Sequence, residues 1–281
     1  MWGIIGGTGF EKLEGFEIIE DLSRETPFGL ASSYFKRVKI GGTECLYLSR
    51  HGAHHELLPS EVNYQANIFA LKRWGASRIL AFSAVGSLEA ACKPGDMAII
   101  SQYIDRTKGV RKHSYCGEGI VGHVSLAYPT CSAWMKAVAD IKDGFDFPIH
   151  LDKTYLCIEG PYFSTFAESV SYQKMGAHII GMTQVPEMNL AREAGLCYLS
   201  SCFVTDFDCW DTSIEHVTQQ EIMRILKQNA ARGFSILEKL VATTDEDIDD
   251  CKCSACGLKN GLISPLSSLS ESQKKWMSVI Y

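Results

Sequence analysis

The sequence lacks several features that would assign it to common protein classes. No uninterrupted apolar run approaches the roughly 18 residues of a membrane-spanning helix, so we expect no membrane span. No cluster of lysine and arginine occurs and the formal net charge is −6, which argues against nucleic-acid binding. The opening residues carry no basic segment ahead of the apolar ones, so we expect no secretory signal peptide. These absences favour a cytoplasmic protein.

Cysteine, by contrast, is abundant, with 11 residues. Eight cysteines are scattered singly, and we expect them to be buried small hydrophobes of a protein in a reducing compartment. They include Cys45, Cys92, Cys157, Cys197 and Cys202. The other three, Cys251, Cys253 and Cys256, are clustered near the end. Because three thiols are one short of a structural zinc site, a redox-labile or disulfide-stapled segment is the first interpretation and a metal the second.

Apolar patterns predict strands that alternate with helices along most of the chain. The predicted strands cover residues 2–5, 33–40, 44–48, 79–85, 97–101, 154–158, 178–181 and 196–204. The predicted helices cover residues 62–74, 133–143, 186–193 and 218–241. This alternation is typical of an α/β fold, here a three-layer αβα domain with a central, mostly parallel mixed sheet. We expect one such domain over residues 1–242, and a Cys-containing tail over 243–281 docked on the body or on a neighbouring subunit.

Two carboxylates follow the last predicted strand, which is a buried, β-prone run. Asp206 and Asp208 are two residues apart and lie among aromatic residues. Open α/β sheets bind ligands beyond the carboxyl ends of their strands, and an apolar setting drives the pKa values of paired acids apart. One acid could then donate a proton while the other accepts. The simpler alternative is that the pair caps the following helix.

Anion-binding residue types follow two other strands. Gly6-Gly7-Thr8-Gly9 could direct N–H groups and a hydroxyl at an anion, although a tight turn is the simpler explanation. Arg50-His51 suits a tetrahedral dianion because a guanidinium grips two oxygens at once; the alternative is an exposed basic turn. His51, His54 and His55 have no cysteine or carboxylate at ligand spacing, so we expect no metal there.

Two further segments are candidates for binding. Residues 105–123 are polar and without a regular period, and a long irregular loop in a regular domain is usually functional. Gly160-Pro161 forces a turn, after which Phe163 offers a flat face on which a base could stack. A core position is the alternative for this phenylalanine.

Eight short motifs fall in one order along the chain. They are Gly6-Gly7-Thr8-Gly9, Arg50-His51-Gly52, residues 59–67, residues 83–87, Glu159-Gly160-Pro161, Gly181-Met182-Thr183, Val185-Pro186-Glu187 and residues 205–210. Each motif is weak alone. The ordered set, over roughly residues 3–241, resembles the trimeric purine nucleoside phosphorylase family and, within it, the 5′-methylthioadenosine phosphorylases.

The resemblance implies a purine nucleoside phosphorylase-like fold and a pentosyltransferase activity. S-methyl-5′-thioadenosine and inorganic phosphate would give adenine and 5-methylthioribose 1-phosphate, in purine and methionine salvage. A phosphorylase that prefers adenosine or methylthioinosine is the alternative. Phosphate would be a co-substrate, and neither a metal nor an organic cofactor is implied. The implied assembly is a homotrimer, with a dimer of trimers also open.

The resemblance also implies roles for individual residues. Those that would hold phosphate are Thr8, Arg50, His51, Ser83, Ala84 and Thr183. Those that would bind the nucleoside are Met182 beneath the sugar, Phe163 and Ser164 at the base, His123 reaching a neighbouring subunit's 5′ end, and Val217, Gln219, Ile222 and Met223 around the 5′ substituent. In catalysis, Asp206 would donate a proton to N7 of the purine and Asp208 would accept from its 6-amino group.

Asp206 indicates which purine is bound, because family members that take 6-oxopurines carry Asn at the corresponding position. A 6-aminopurine is therefore expected. The chain departs from close relatives at Tyr162 and Phe166, where they usually carry Arg, and at Gln219, where an apolar residue often occurs. Two other classes remain as rivals: a hydrolytic nucleosidase, which would not need Arg50 and His51, and a nucleoside-binding protein without activity.

Overall fold

The computed structural model describes residues 1–8, 10, 16–211, 219–243 and 251–281, apart from the side chains of residues 219–223. Among these residues, nine strands form one mixed sheet. They are β1 (Trp2–Gly6), β2 (Glu17–Leu22), β5 (Phe35–Ile40), β6 (Thr43–Ser49), β7 (Arg78–Ser87), β8 (Met97–Arg106), β9 (Ile149–Ile158), β10 (Ile179–Gly181) and β11 (Cys197–Phe207). Two short strands, β3 (Glu25–Thr26) and β4 (Gly29–Leu30), pair with each other.

Helices cover both faces of the sheet. They are α1 (Tyr64–Arg73), α2 (Ser132–Ile141), α3 (Phe166–Lys174), α4 (Gln184–Glu193) and α5 (Gln219–Ala242), with α6 (Leu258–Gly261) and α7 (Glu271–Ile280) in the C-terminal segment. Within the part of the chain that the structure describes, no helix combines the length and the apolar character needed to cross a membrane.

The strand order is β10-β9-β8-β11-β7-β1-β6-β5-β2. The pairs β6–β1, β1–β7, β7–β11, β8–β9 and β9–β10 are parallel, whereas β2–β5, β5–β6, β8–β11 and β7–β10 are antiparallel. The predicted α/β fold with a mostly parallel mixed sheet is therefore confirmed. Because β10 bonds to both β9 and β7, the strands β7, β11, β8, β9 and β10 close into a ring.

Successive side chains along a strand point to opposite faces of the sheet, so the buried strands contribute to a core on each side. Ile5, Leu46 and Ile79 face one side, where they pack with α1, α4 and α7. Their chain neighbours Ile4 and Leu80 face the other side and pack with α2 and α5. The central strands β1, β6 and β7 are therefore apolar on both faces, which is why the sequence shows continuous apolar runs there.

The strand that ends in the two acids is longer than predicted. We expected residues 196–204, but β11 continues to Phe207, so Asp206 lies inside the strand. The pairing with β7 shifts between Val204, opposite Val85, and Asp206, opposite Gly86, which leaves Thr205 as an extra residue in a bulge. The apolar run predicted only the part of β11 that is buried among apolar side chains. Hydrogen bonds to β7 extend the strand beyond that run.

The C-terminal segment returns to the body of the protein. A capping box between Ser270 and Gln273 begins α7, and Trp276 and Ile280 of this helix are buried in the core cluster that includes α1. Near its start, Cys251 and Cys253 meet two cysteines of the body, and the four sulfur atoms lie within 4.8 Å of one another. These partners are Cys131 and Cys197. The expectation that Cys197 is an isolated buried hydrophobe is therefore wrong, because the fold brings it to residues that are distant in sequence.

Candidate active site

A cavity of about 380 Å³ opens where the carboxyl ends of β1, β6, β7, β9, β10 and β11 converge. Eleven of the predicted site residues line it: Thr8, Arg50, His51, Ser83, Ala84, Phe163, Ser164, Met182, Thr183, Asp206 and Asp208. A second cavity of about 390 Å³, beneath the C-terminal segment, is lined by none of these residues. The chemistry-bearing residues therefore share one site, at the position expected for an α/β sheet.

Arg50 is fully buried and its guanidinium is held on two sides. Its Nε and Nη2 donate to the two carboxylate oxygens of Glu187 at 2.6 and 2.8 Å, and its Nη1 donates to the carbonyl of Phe82 at 2.8 Å. Burial opposes the charged form, but the Glu187 carboxylate outweighs it and raises the pKa of Arg50. The site therefore contains a permanent, fixed cation. The alternative of an exposed basic turn is excluded.

His51 lies beside Arg50 and is neutral at pH 7. Burial, and then the positive charge of Arg50, lower the pKa of His51 from 6.5 to about 4. Its Nδ1 is 2.9 Å from the carbonyl oxygen of Leu57. Because a carbonyl only accepts, Nδ1 carries the proton and Nε2 is left as an acceptor.

Hydroxyl groups line the same end of the cavity. The Oγ of Ser83 lies 3.3 Å from the Oγ1 of Thr183, which is the residue before α4. The backbone N–H of Thr183 donates to the hydroxyl of Tyr155 at 3.3 Å. Gly7, just before Thr8, has no room for a side chain, because a Cβ atom there would collide with the carbonyl of Phe82. This end therefore offers a guanidinium and several hydroxyls to an anion.

Asp206 is a carboxyl group whose surroundings favour the protonated form. Burial raises its pKa, and the charge of Asp208 adds to that effect, while a hydrogen bond from the Thr205 hydroxyl opposes it. The hydroxyl donates to Oδ2 at 2.7 Å. A Cβ atom at Gly86 would lie 3.2 Å from Oδ1, so the glycine opposite Asp206 makes room for its carboxyl.

Asp208 is 9% exposed, and its backbone N–H donates to the carbonyl of Ser87 at 2.9 Å. Its Oδ2 is buried without a hydrogen-bond partner among the described residues. A buried carboxylate oxygen left without a partner costs about 1–3 kcal/mol or more, so the position calls for a donor from a ligand. The alternative that both acids cap the next helix is not supported for Asp208, which faces the cavity.

The rim of the cavity beyond β9 is aromatic. Phe163 lines the cavity and is 84% exposed, so the alternative of a core position is wrong. Ser164 also lines it, and its carbonyl accepts from the thiol of Cys209. A cis peptide bond between Gly160 and Pro161 begins this segment. A flat aromatic face at the mouth of an apolar cavity suits stacking against a planar ring.

Arg111 ties the irregular loop to the cavity floor, and sequence reasoning missed it. Its Nε donates to Glu159 at 2.7 Å, and its Nη1 donates to the carbonyls of Met182 and Val185, both at 2.7 Å. Glu159 also accepts from the backbone N–H of Lys108 at 2.8 Å. The irregular loop is thus anchored by one buried side chain, which also fixes the carbonyl of Met182, a residue that lines the cavity.

Glu187 was also missed as a functional residue, although it belongs to the motif Val185-Pro186-Glu187. The fold places its carboxylate against the guanidinium of Arg50. Tyr198 donates a third hydrogen bond to the same carboxylate, at 2.8 Å. Leu226 on α5, for which the sequence predicted only a place in the helix over residues 218–241, also lines the cavity.

The remaining predicted residues are not brought to this cavity by the described structure. His123 is exposed, with its backbone N–H bonded to the carbonyl of Gly261 at 2.8 Å, and it does not line the cavity of its own chain. Val217 and the side chains of Gln219, Ile222 and Met223 lie outside the described residues.

Comparison with known proteins places this chain in a family. The sequence model of the phosphorylase superfamily matches residues 2–242. A curated S-methyl-5′-thioadenosine phosphorylase of Geobacter sulfurreducens is 38% identical, over 99% of this chain and 96% of the relative. A methylthioadenosine phosphorylase from an antarctic soil metagenomic library has a TM-score of 0.91 at 38% identity, covering 100% of this chain and 98% of the other.

A second solved structure, the methylthioadenosine phosphorylase of Schistosoma mansoni in complex with adenine, has a TM-score of 0.85 at 33% identity and covers 93% of this chain and 98% of that one. The similarity in sequence and fold extends over nearly the whole chain. The chain belongs to the phosphorylase superfamily.

Proposed function

We propose that this protein catalyses the phosphorolysis of S-methyl-5′-thioadenosine to adenine and 5-methylthioribose 1-phosphate. One observation carries the proposal: the guanidinium of Arg50 and the carboxyl of Asp206 line the same cavity. A fixed cation suits the phosphate, and a carboxyl biased toward its acid form suits the departing base. The curated and solved relatives carry the corresponding name.

Arg50 and His51 form the phosphate end in this proposal. The hydrogen bonds to Glu187 and Phe82 use three of the five guanidinium N–H groups, which leaves one on each terminal nitrogen for an anion as far as the described residues extend. The Nε2 of His51 accepts the O–H of hydrogen phosphate. Thr8, Ser83 and Thr183 donate hydroxyl groups, and the backbone N–H of Ala84 is the remaining donor.

The acids form the base end. As the bond between C1′ and N9 breaks, its electron pair passes to the purine and the ribose takes on positive charge. Asp206 protonates N7, which neutralises the purine, and a phosphate oxygen bonds to C1′ from the opposite face. Asp208 accepts from the 6-amino group, which supplies the donor that its buried Oδ2 needs. Asp206 is then reprotonated from water.

The nucleoside lies between these ends. Phe163 stacks on the base beside Ser164, and Met182 lies beneath the sugar, held by the bond between its carbonyl and Arg111. Leu226 adds an apolar side chain to the cavity, which favours a methylthio group over a hydroxyl at the 5′ position. The other 5′ residues would be Val217, Gln219, Ile222 and Met223.

The assembly that we propose is a cytoplasmic homotrimer that needs no cofactor beyond its co-substrate phosphate. Two observations support the trimer. The rim segment exposes Tyr162 at 83% and Phe163 at 84%, a large apolar surface for a free monomer. In addition, His123 is exposed away from its own cavity, so it is free to reach the 5′ end of a neighbour's substrate.

The experiment is a substrate panel with and without phosphate. Methylthioadenosine, methylthioinosine, adenosine and inosine are supplied separately, and free base and sugar phosphate are quantified. We expect methylthioadenosine to give the highest kcat/KM, and only with phosphate. Equal base release without phosphate would identify a nucleosidase, a preference for adenosine or methylthioinosine would select the alternative phosphorylase, and binding without turnover would leave a nucleoside-binding protein.

A further inference from the structure

A cluster of four thiols lies at the end of β11 opposite to the candidate active site. β11 begins at Cys197 and reaches Asp206 after nine residues, a span of about 30 Å for an extended strand. The sulfur of Cys197 lies 3.0 Å from that of Cys251, which in turn lies 3.6 Å from the sulfur of Cys131. With Cys253, all four sulfurs lie within 4.8 Å of one another.

The backbone holds these thiols in place from three parts of the fold. Cys131 is the N-cap of α2, and its N–H donates to the carbonyl of Tyr198, next to Cys197, at 3.1 Å. The N–H of Cys197 donates to the carbonyl of Ser77 at 3.1 Å. Cys253 begins a short 3₁₀ turn that ends at Cys256. The two body cysteines are therefore fixed by the sheet, and the C-terminal segment supplies the other two.

We propose that Cys131, Cys197, Cys251 and Cys253 form a tetrahedral structural zinc site that fastens the C-terminal segment to the body. Zinc bonds to thiolate at about 2.3 Å, so the sulfurs of a tetrahedral site stand roughly 3.8 Å apart. Two of the sulfur–sulfur distances in the cluster are 3.0 and 3.6 Å and none exceeds 4.8 Å, which is compatible with that value. A closed set of four thiolates leaves no position for a substrate, which makes the site structural rather than catalytic.

The chemistry of the cluster suits a divalent cation. Zinc binds cysteine as the thiolate, and the charge of the metal offsets the charge of the thiolates around it.

The C-terminal segment fits closely beside the cluster. A Cβ atom at Gly257 would lie 2.7 Å from the backbone nitrogen of Gly195 and 2.8 Å from the carbonyl oxygen of Glu193, so the segment packs against the turn before β11 without space for a side chain. Zinc would hold this contact at one end, and the burial of α7 holds it at the other. The proposal is independent of the reaction at the active site.

The test begins with the metal content of the full-length protein, purified with reductant and without chelator. We expect about one zinc per chain, released by a mercurial thiol reagent. Replacement by Co²⁺ should give the intense visible absorption of a tetrahedral cobalt–thiolate site. Removal of the metal should lower the melting temperature and expose the C-terminal segment to protease, while the secondary structure of residues 1–242 is retained.

Substitutions identify the ligands. Cys251→Ser and Cys253→Ser should each reduce zinc content at least tenfold and abolish the cobalt spectrum. Cys256→Ser is the matched control, because this exposed thiol lies in the same segment but outside the cluster, and it should leave both readouts unchanged. Protein without metal and without a cobalt spectrum would overturn the proposal. So would a mass lower by four hydrogens, which would mean that the thiols are paired in two disulfides.

Discussion

Both carboxylate oxygens of Glu187 accept hydrogen bonds from Arg50, although 137 positions separate the two residues in the chain. The pair is almost completely removed from solvent, with side chains 1% and 0% exposed. The guanidinium plane is thus fixed in the cavity before any ligand arrives, which would limit the rearrangement needed to bind the phosphate of the proposed reaction.

Glu187→Gln should destabilise the protein and weaken phosphate binding. Loss of one partner of a buried pair leaves an uncompensated charge and costs about 3–5 kcal/mol. We expect a loss of that size in urea-induced unfolding and a rise of at least tenfold in the KM for phosphate. Glu20→Gln is the control. It removes an exposed ion pair in which Oε1 of Glu20 lies 2.8 Å from Nε of Arg37, so it should lower the free energy of unfolding by less than about 1 kcal/mol. Equal losses in the two variants would contradict the assigned role.

His51 should make the stability of the protein depend on pH in acid. Its pKa is about 4 in the folded protein and near 6.5 when unfolded, so between these values the unfolded chain binds the proton first. The free energy of unfolding should therefore fall as pH drops from about 6.5 to about 4, by up to about 3 kcal/mol at 1.4 kcal/mol per pH unit. In His51→Asn this pH-dependent loss of stability should be absent. In His54→Asn, which changes an exposed histidine nearby, the loss should remain. Unfolding curves at several pH values measure both.

Thr205→Val should shift the pH profile of the reaction. The Thr205 hydroxyl stabilises the ionised form of Asp206, so its loss raises a pKa that is already raised by burial. The proposed mechanism uses the acid form of Asp206, so kcat should fall as pH rises through that pKa. The alkaline limb should therefore move to higher pH in the variant. If the alkaline limb of the profile stays at the same pH in the variant, Asp206 is not the group whose titration limits kcat.

Asp206→Asn should abolish most activity toward 6-aminopurine nucleosides. An amide cannot protonate N7 as a carboxylic acid does, and loss of a positioned general acid costs about 10²–10⁴-fold in rate. The amide can instead donate to a 6-carbonyl, so we expect some gain with inosine or methylthioinosine. Steady-state kinetics on the four nucleosides separate these effects, and unchanged kinetics would exclude Asp206 from the mechanism.

Gly86→Ala should lower kcat with little effect on the KM for phosphate. The new Cβ would lie 3.2 Å from Oδ1 of Asp206 and 3.1 Å from Ile180, so the carboxyl has to move. A misplaced acid loses much of its effect, and we expect at least a tenfold loss of kcat. Gly144→Ala is the control, since its Cβ would meet only the flexible end of Lys239 at 3.0 Å. Comparable losses in both would point to a general effect on folding.

Much of the fold could be predicted from local patterns. Period-2 and period-3.6 patterns located strands and helices, because buried faces leave a regular apolar record in the sequence. Strand lengths were less predictable. β8 ends about five residues after its predicted apolar run and β9 begins about five residues before its own, since hydrogen bonds to neighbouring strands do not require apolar side chains.

The site was predictable where single residues carry the chemistry and unpredictable where partners are distant. Arg50 and Asp206 stood out by residue type at strand ends. Glu187 and Arg111 act through contacts with residues far along the chain, and no spacing rule reveals such pairs. The bulge at Thr205 is equally hidden, although an unbroken ladder would turn Asp206 to the other face of the sheet.

β10 is only three residues long, yet it is hydrogen-bonded along both edges. Met182 and Thr183 follow it directly, so the floor of the cavity rests on a strand that cannot fray outward from a free edge. Local opening of β10 breaks its hydrogen bonds to β9 and to β7 at once, so this floor should be among the last parts of the protein to unfold locally. Among the described residues, the surface segments that line the cavity beyond the sheet are residues 55–59 and 161–164, so exchange of a ligand with solvent should depend on these segments while the sheet beneath them stays closed.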